Sequence, residues 1–154
     1  IAAVEEAIGR LAVIDPSPAE IAMAAQLEEA AKAQSLELDT GESQLLAIAL
    51  TQGIRLLMTG DKRAVVAIEA LAAHELGRRI ACLEQVLEVL LDREPVEDLR
   101  TAICAEPNVD AAAAIIFSCC SEHRSKHEIE EGLHSYISDL AKVAARTLVG
   151  EKLA

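Results

Sequence analysis

The chain has 154 residues, of which 52% are hydrophobic and 26% charged, a balance that supplies a core and excludes intrinsic disorder. Its formal net charge of -12 argues against a broad phosphate-binding surface, because such surfaces are built from Lys and Arg. One Tyr, one Phe and no Trp leave almost no platform for stacking unpaired bases, so Ala, Leu, Ile and Val must fill the interior.

Residues 1–10 carry Val4 and Ile8 at helical spacing around Glu5 and Glu6, which predicts a helix. The apolar run 11–14, stopped by Asp15-Pro16, predicts a strand. Ser17-Pro18 opens a second helix, lined by Ile21, Ala24, Ala25 and Leu27 and lasting to about Gln34. Asp39 or Thr40 caps a third, with Glu42 in its first turn and Gly53 as a left-handed stop. Leu45, Leu46, Ile48, Ala49 and Leu50 make that helix apolar on nearly every side, so it is expected to be deeply buried. Residues 54–58 then predict a strand ending in Thr59-Gly60-Asp61, 62–73 a helix, 79–82 a strand and 84–91 a helix.

Strands separated by helices imply crossovers and a parallel sheet covered on both faces. After Arg93-Glu94-Pro95 the strand signal disappears. A short helix over 96–104, another over 109–120, and a long one capped by Ser125 and running to about Leu148 predict an all-helical extension. The domain reading is therefore an α/β unit over 1–95 and a helical extension over 96–154.

The four cysteines show no CxxC spacing and no secretory context, which predicts free thiols in a reducing cytoplasm. The longest conspicuous apolar run, 111–117, is too short to span a bilayer, and no signal peptide is visible, so no membrane association is expected. The chain begins with Ile1 inside a helical pattern, so residues upstream are expected.

The most informative stretch is LDTGESQLLAIALTQGIRLLMTGDKRAVV, residues 38–66. It places Glu42 at the start of a buried helix and Asp61 just past the next strand. In an open parallel sheet, strand C-termini and helix N-termini gather at one ligand-binding edge. Carboxylates converging there would repel unless a hard divalent cation such as Mg²⁺ or Mn²⁺ lay between them. The bland alternatives are a helix-dipole role for Glu42 and capping roles for Asp61 and Asp39. Lys62 and Arg63 are read as a solvated helix start, with phosphate contact as the alternative.

This stretch resembles the PIN family of metal-dependent nucleases. The resemblance lies in the L-D-x-G-E helix start, the buried Ala/Leu/Ile helix and the strand ending in T-x-D, and it extends over roughly residues 11–91. It implies a three-layer α/β/α fold and a Mg²⁺/Mn²⁺-dependent nuclease acting on single-stranded RNA. Glu42 and Asp61 become the metal ligands and Thr59 a supporting hydroxyl. Many members of that family are toxins restrained by an antitoxin. The family's first strand carries an acid in a pattern resembling L-D-T-x-x-L, and no such segment precedes Leu11. That strand is thus expected upstream of Ile1, or the metal site lacks one acid.

A second constellation, Cys119, Cys120, His123 and His127, has zinc-compatible spacing on a continuous helix, set against a helix connection with Cys120 as a small buried residue. The rival to the nuclease is a catalytically degenerate PIN-like scaffold that binds a protein partner, or a second copy, through residues 96–154. A purely helical interaction protein without a sheet is the third reading.

Overall fold

A computed structural model describes residues 13–121 and 123–150. The predicted helix over 1–10 lies outside the described residues, as do Leu11 and Ala12 of the predicted first strand. The rest of that strand does not form. Val13 and Ile14 are irregular and exposed, because Asp15-Pro16 ends the run before it can pair.

Helix α1 (Pro18–Ala33) begins where the sequence marks it. The Glu20 amide donates to Ser17 Oγ at 3.3 Å, and the Ser17 amide donates to Glu20 Oε2 at 2.7 Å, a reciprocal capping box with Pro18 in the first turn. Helix α2 (Thr40–Thr51) is capped by Asp39, whose Oδ1 accepts from the Glu42 amide at 2.8 Å. Gly53, at φ 63°, takes the left-handed conformation that turns the chain out of α2. The two helices run antiparallel. Ser43 Oγ donates to Glu28 at 2.7 Å, and Thr51 Oγ1 donates to Glu20 at 2.6 Å. Leu46, Ala47, Ile48 and Ala49 are buried as expected, whereas Ile21 and Leu45 are about half exposed.

Strand β1 (Leu57–Thr59) pairs in parallel with β2 (Ile80–Cys82), in the register Leu57–Ile80, Met58–Ala81 and Thr59–Cys82. Helix α3 (Lys62–Leu76) connects them, and α4 (Leu83–Leu91) follows β2 directly. The Arg79 guanidinium ties this turn together, donating to the carbonyls of Leu76 and Glu75 at the end of α3 and to that of Ile54 before β1. The remaining helices are α5 (Val96–Ala105), α6 (Ala111–Ile116) and α7 (Lys126–Val143), the last opened by a Ser125–Glu128 capping box. Among the described residues the architecture is thus mixed α/β, with seven helices around a small parallel sheet.

Two expectations for the C-terminal part are corrected. Residues 109–120 are not one helix: α6 ends at Ile116, and Ser118 adopts φ 55°, which breaks the helical path. Nor are residues 96–154 all helical. After α7 the chain turns over 145–147, and Leu148 then bridges Ile80 in parallel on the side of β2 opposite β1. The Ile80 amide donates to Thr147 O at 2.9 Å, and the Val149 amide to Ile80 O at 2.8 Å.

Two apolar clusters hold the molecule. The first joins Leu46, Val65, Ile68, Leu76 and Ile80 with Ile137, Leu140 and Leu148, so it draws on residues from both sides of position 95. The second centres on Phe117, with Leu87, Leu91, Ile116, Ile129 and Leu133. Gly132 of α7 lies against Ile116, whose Cγ2 would stand 3.2 Å from an added Cβ, so a side chain there would require the buried Ile116 to shift by a few tenths of an ångström.

Candidate functional site

The three residues expected to form a site are brought together. Asp39, by capping α2, sets Glu42 in the first turn with its carboxylate facing the end of β1. Thr59 is the last residue of β1, and Asp61 caps α3 through its Oδ1, which accepts from the Arg63 amide at 2.8 Å. The Thr59 hydroxyl joins the two acids: it donates to Glu42 Oε1 at 3.1 Å and accepts from the Asp61 amide at 3.1 Å. This is the edge at which strand C-termini and helix N-termini meet.

The two carboxyls are driven in opposite directions. Partial burial raises the Glu42 pKa above its ordinary value, helped by the negative charges of Asp39 and Asp61, while the Thr59 hydroxyl acts against the rise. Asp61 is lowered, chiefly by its hydrogen bonds from the Arg63 side chain. Asp61 therefore keeps its charge to lower pH than an ordinary aspartate, and Glu42 takes up a proton more readily than an ordinary glutamate.

The neighbouring cations are engaged within the chain. Arg63 donates to both carboxylate oxygens of Asp61, at 3.2 and 2.8 Å, and to Glu37 at 2.6 Å. Lys62 pairs with the buried Glu84 at 2.7 Å, and its ammonium lies 4.0 Å from the centre of the Tyr136 ring. Lys62 is thus held by its neighbours and is not a freely solvated start of α3. Glu84 went unnoticed in the sequence, although an acid just after a strand sits by construction at the same edge. An open cleft of about 510 Å³ runs alongside, lined by Gly60, Asp61, Lys62, Arg63, Val109 and Asp110.

At Cys119, Cys120, His123 and His127 the helix connection forms and the zinc alternative does not, although Cys120 is not the buried residue expected. Cys119 is bonded to Cys104 in a disulfide, which also overturns the expectation of free thiols throughout. Cys120 is exposed, His123 faces Glu97 and His127 faces Glu130 and Glu131. The break in the helix after Ile116 removes the continuous face on which zinc spacing depended.

Comparison of the chain with family models, with curated proteins and with solved structures gives no match. The class therefore rests on the fold itself: an α/β protein at whose strand C-terminal edge the Thr59 hydroxyl bonds the Glu42 carboxylate and the Asp61 backbone amide. Among the described residues no helix is long and apolar enough to cross a membrane.

Proposed function

We propose that this chain is a PIN-like, Mg²⁺- or Mn²⁺-dependent nuclease acting on single-stranded RNA, with Glu42 and Asp61 as metal ligands and Thr59 as their support. A three-layer α/β/α frame of that family belongs to the same reading. The observation that carries it is the Thr59 hydroxyl, hydrogen-bonded at once to Glu42 and to the Asp61 backbone at the strand end. The donor set suits a hard cation: both acids offer oxygen ligands, Asp61 stays ionised, and a cation would relieve its repulsion of Glu42. A bound ion would supply an activated water and stabilise charge on the phosphodiester. The chain's own part is to orient Glu42 through Thr59 and to keep Asp61 anionic, while Glu42 must give up its proton to ligate a cation.

One observation favours a second reading, in which the molecule is a degenerate scaffold that binds a protein partner or a second copy through its helical part. Among the described residues no three His, Cys, Asp or Glu side chains converge as a metal-binding group.

Calorimetric titration of the full chain with Mn²⁺ separates the two. On the nuclease reading Mn²⁺ binds, and Glu42→Gln or Asp61→Asn weakens binding by at least ~10-fold. Cleavage of single-stranded RNA is expected to vanish in EDTA and in either variant. Equal Mn²⁺ binding in both variants would remove these residues from the site, and cleavage surviving chelation would remove the metal mechanism.

A further inference from the structure

Capping α3 requires only the backbone bond from the Arg63 amide to Asp61 Oδ1. The Arg63 side chain adds a second layer. Its Nε donates to Oδ1 at 3.2 Å and its Nη2 to Oδ2 at 2.8 Å, so a single planar fork covers both oxygens of the carboxylate. A carboxylate offers about four lone-pair positions, and three on Asp61 are filled by this one residue. The remaining arm of the fork, Nη1, reaches Glu37 Oε2 at 2.6 Å, on the loop between α1 and α2. The guanidinium is therefore shared between a carboxylate in the candidate site and one outside it.

Two features make this contact suited to exchange. Arg63 and Glu37 are both largely exposed, at 65% and 69%, and ion pairs open to water are weak and readily displaced. Glu37 gives the guanidinium a second anchor, so release of Asp61 need not leave the cation without a partner. The guanidinium also compensates charge. Asp39 and Asp61 both act on Glu42, and Arg63 supplies a positive charge directly against Asp61.

We propose that Arg63 is a built-in competitor for the cation site: it covers Asp61 when no divalent ion is bound and is retained by Glu37 when one is. This regulation rests on the metal-binding reading given above. Removing the guanidinium frees Asp61 Oδ2, leaves Oδ1 with only its backbone bond, and deletes a like charge near the incoming cation. At a separation of several ångströms in water that repulsion alone is worth roughly tenfold in affinity.

The test is Mn²⁺ titration of the full chain as wild type, Arg63→Ala, Glu37→Gln and the Arg63→Ala/Glu37→Gln double variant. Arg63→Ala is expected to tighten Mn²⁺ binding by roughly tenfold. Damage to the fold would weaken binding, so an increase is a response that a structural role does not produce. Glu37→Gln is expected to weaken binding in the wild-type background and to have little effect once Arg63 is gone, because Glu37 acts through the guanidinium. Equal or weaker binding by Arg63→Ala overturns the proposal, as does a Glu37→Gln effect of the same size in both backgrounds. If Glu42→Gln and Asp61→Asn weaken binding while Arg63→Ala does not tighten it, only the Arg63 role falls. If none of these substitutions changes binding, the metal-binding reading falls with it.

Discussion

Glu20 is an acid almost sealed from solvent, and every contact it makes is to its charged form. Its Oε1 accepts from the Thr51 hydroxyl at 2.6 Å and the Gln52 amide at 3.0 Å, and its Oε2 accepts from the Ser17 amide at 2.7 Å. The Thr51 hydroxyl first, then Ser17 and Gln52, hold its pKa down from 4.5 to about 2. A folded-state pKa below the unfolded one contributes stability that is complete above about 4.5 and disappears as pH falls toward 2. Glu20→Gln is therefore expected to lower stability at neutral pH and to flatten the acid limb over that interval, as read by urea unfolding at several pH values. Parallel profiles for the two proteins would show that Glu20 is not the titrating link between α1 and α2. Half of this arrangement is legible in the sequence: Ser17 with Glu20 three residues later is a capping signature. The other half is not, because nothing local pairs Glu20 with Thr51. The candidate site divides the same way. The order of elements brings Glu42, Thr59 and Asp61 to one edge, but the Arg63 fork escapes notice because residues two apart within a helix point away from each other. Asp61 lies outside the helix as its cap, and from there its side chain meets the fork.

At the scale of elements, caps and glycines make the boundaries of α1, α2 and α3 readable, and the apolar runs 54–58 and 79–82 mark both paired strands. The exact ends of those strands are less legible, since Leu57–Thr59 and Ile80–Cys82 are each three residues and runs of that length carry no measurable alternation. The segment after α7 is harder still, since Leu148 continues what reads as a helical stripe. Tertiary hydrogen bonds decide its conformation. Glu69 of α3 accepts from the Thr147 amide at 2.9 Å, the Thr147 hydroxyl at 2.7 Å and Arg146 Nε at 2.7 Å, while Gln85 Nε2 donates to Gly150 O at 2.8 Å. Glu69→Ala removes three of these and leaves the buried Thr147 without its side-chain partner. The expected cost is about 1–3 kcal/mol, with faster hydrogen exchange at the Ile80 and Val149 amides, which bond across this pairing. Exchange at those two amides as slow as in the wild type would mean that the segment is held by apolar contacts alone.

At the scale of the molecule, the two clusters differ in how they are closed. The cluster beside the sheet is bound by strand pairing and by long helices on either side. The Phe117 cluster is enclosed by α4, α7 and the short helices α5 and α6, and the Cys104–Cys119 bond ties the end of α5 to the turn after α6. No sequence pattern announces that bond, since the pairing depends on α5 and α6 folding back on each other. A cross-link over a sequence separation of 15 restricts the unfolded chain by an amount worth about 3 kcal/mol in the chain-entropy account. For a chain of this size that corresponds to a fall in Tm of roughly 6–12 °C on reduction or in Cys104→Ser/Cys119→Ser. Cys120→Ser is expected to leave Tm unchanged, because that thiol is exposed and unbonded. Thiol titration without reductant gives an independent reading. Cys120 should react in the native state. Cys82, buried and with its thiol pushed up to about 11, should react only on unfolding. Four reactive thiols in the unreduced, unfolded chain, or a Tm indifferent to reductant, would remove the cross-link from this account and leave the Phe117 cluster to hold α5 and α6 by packing alone.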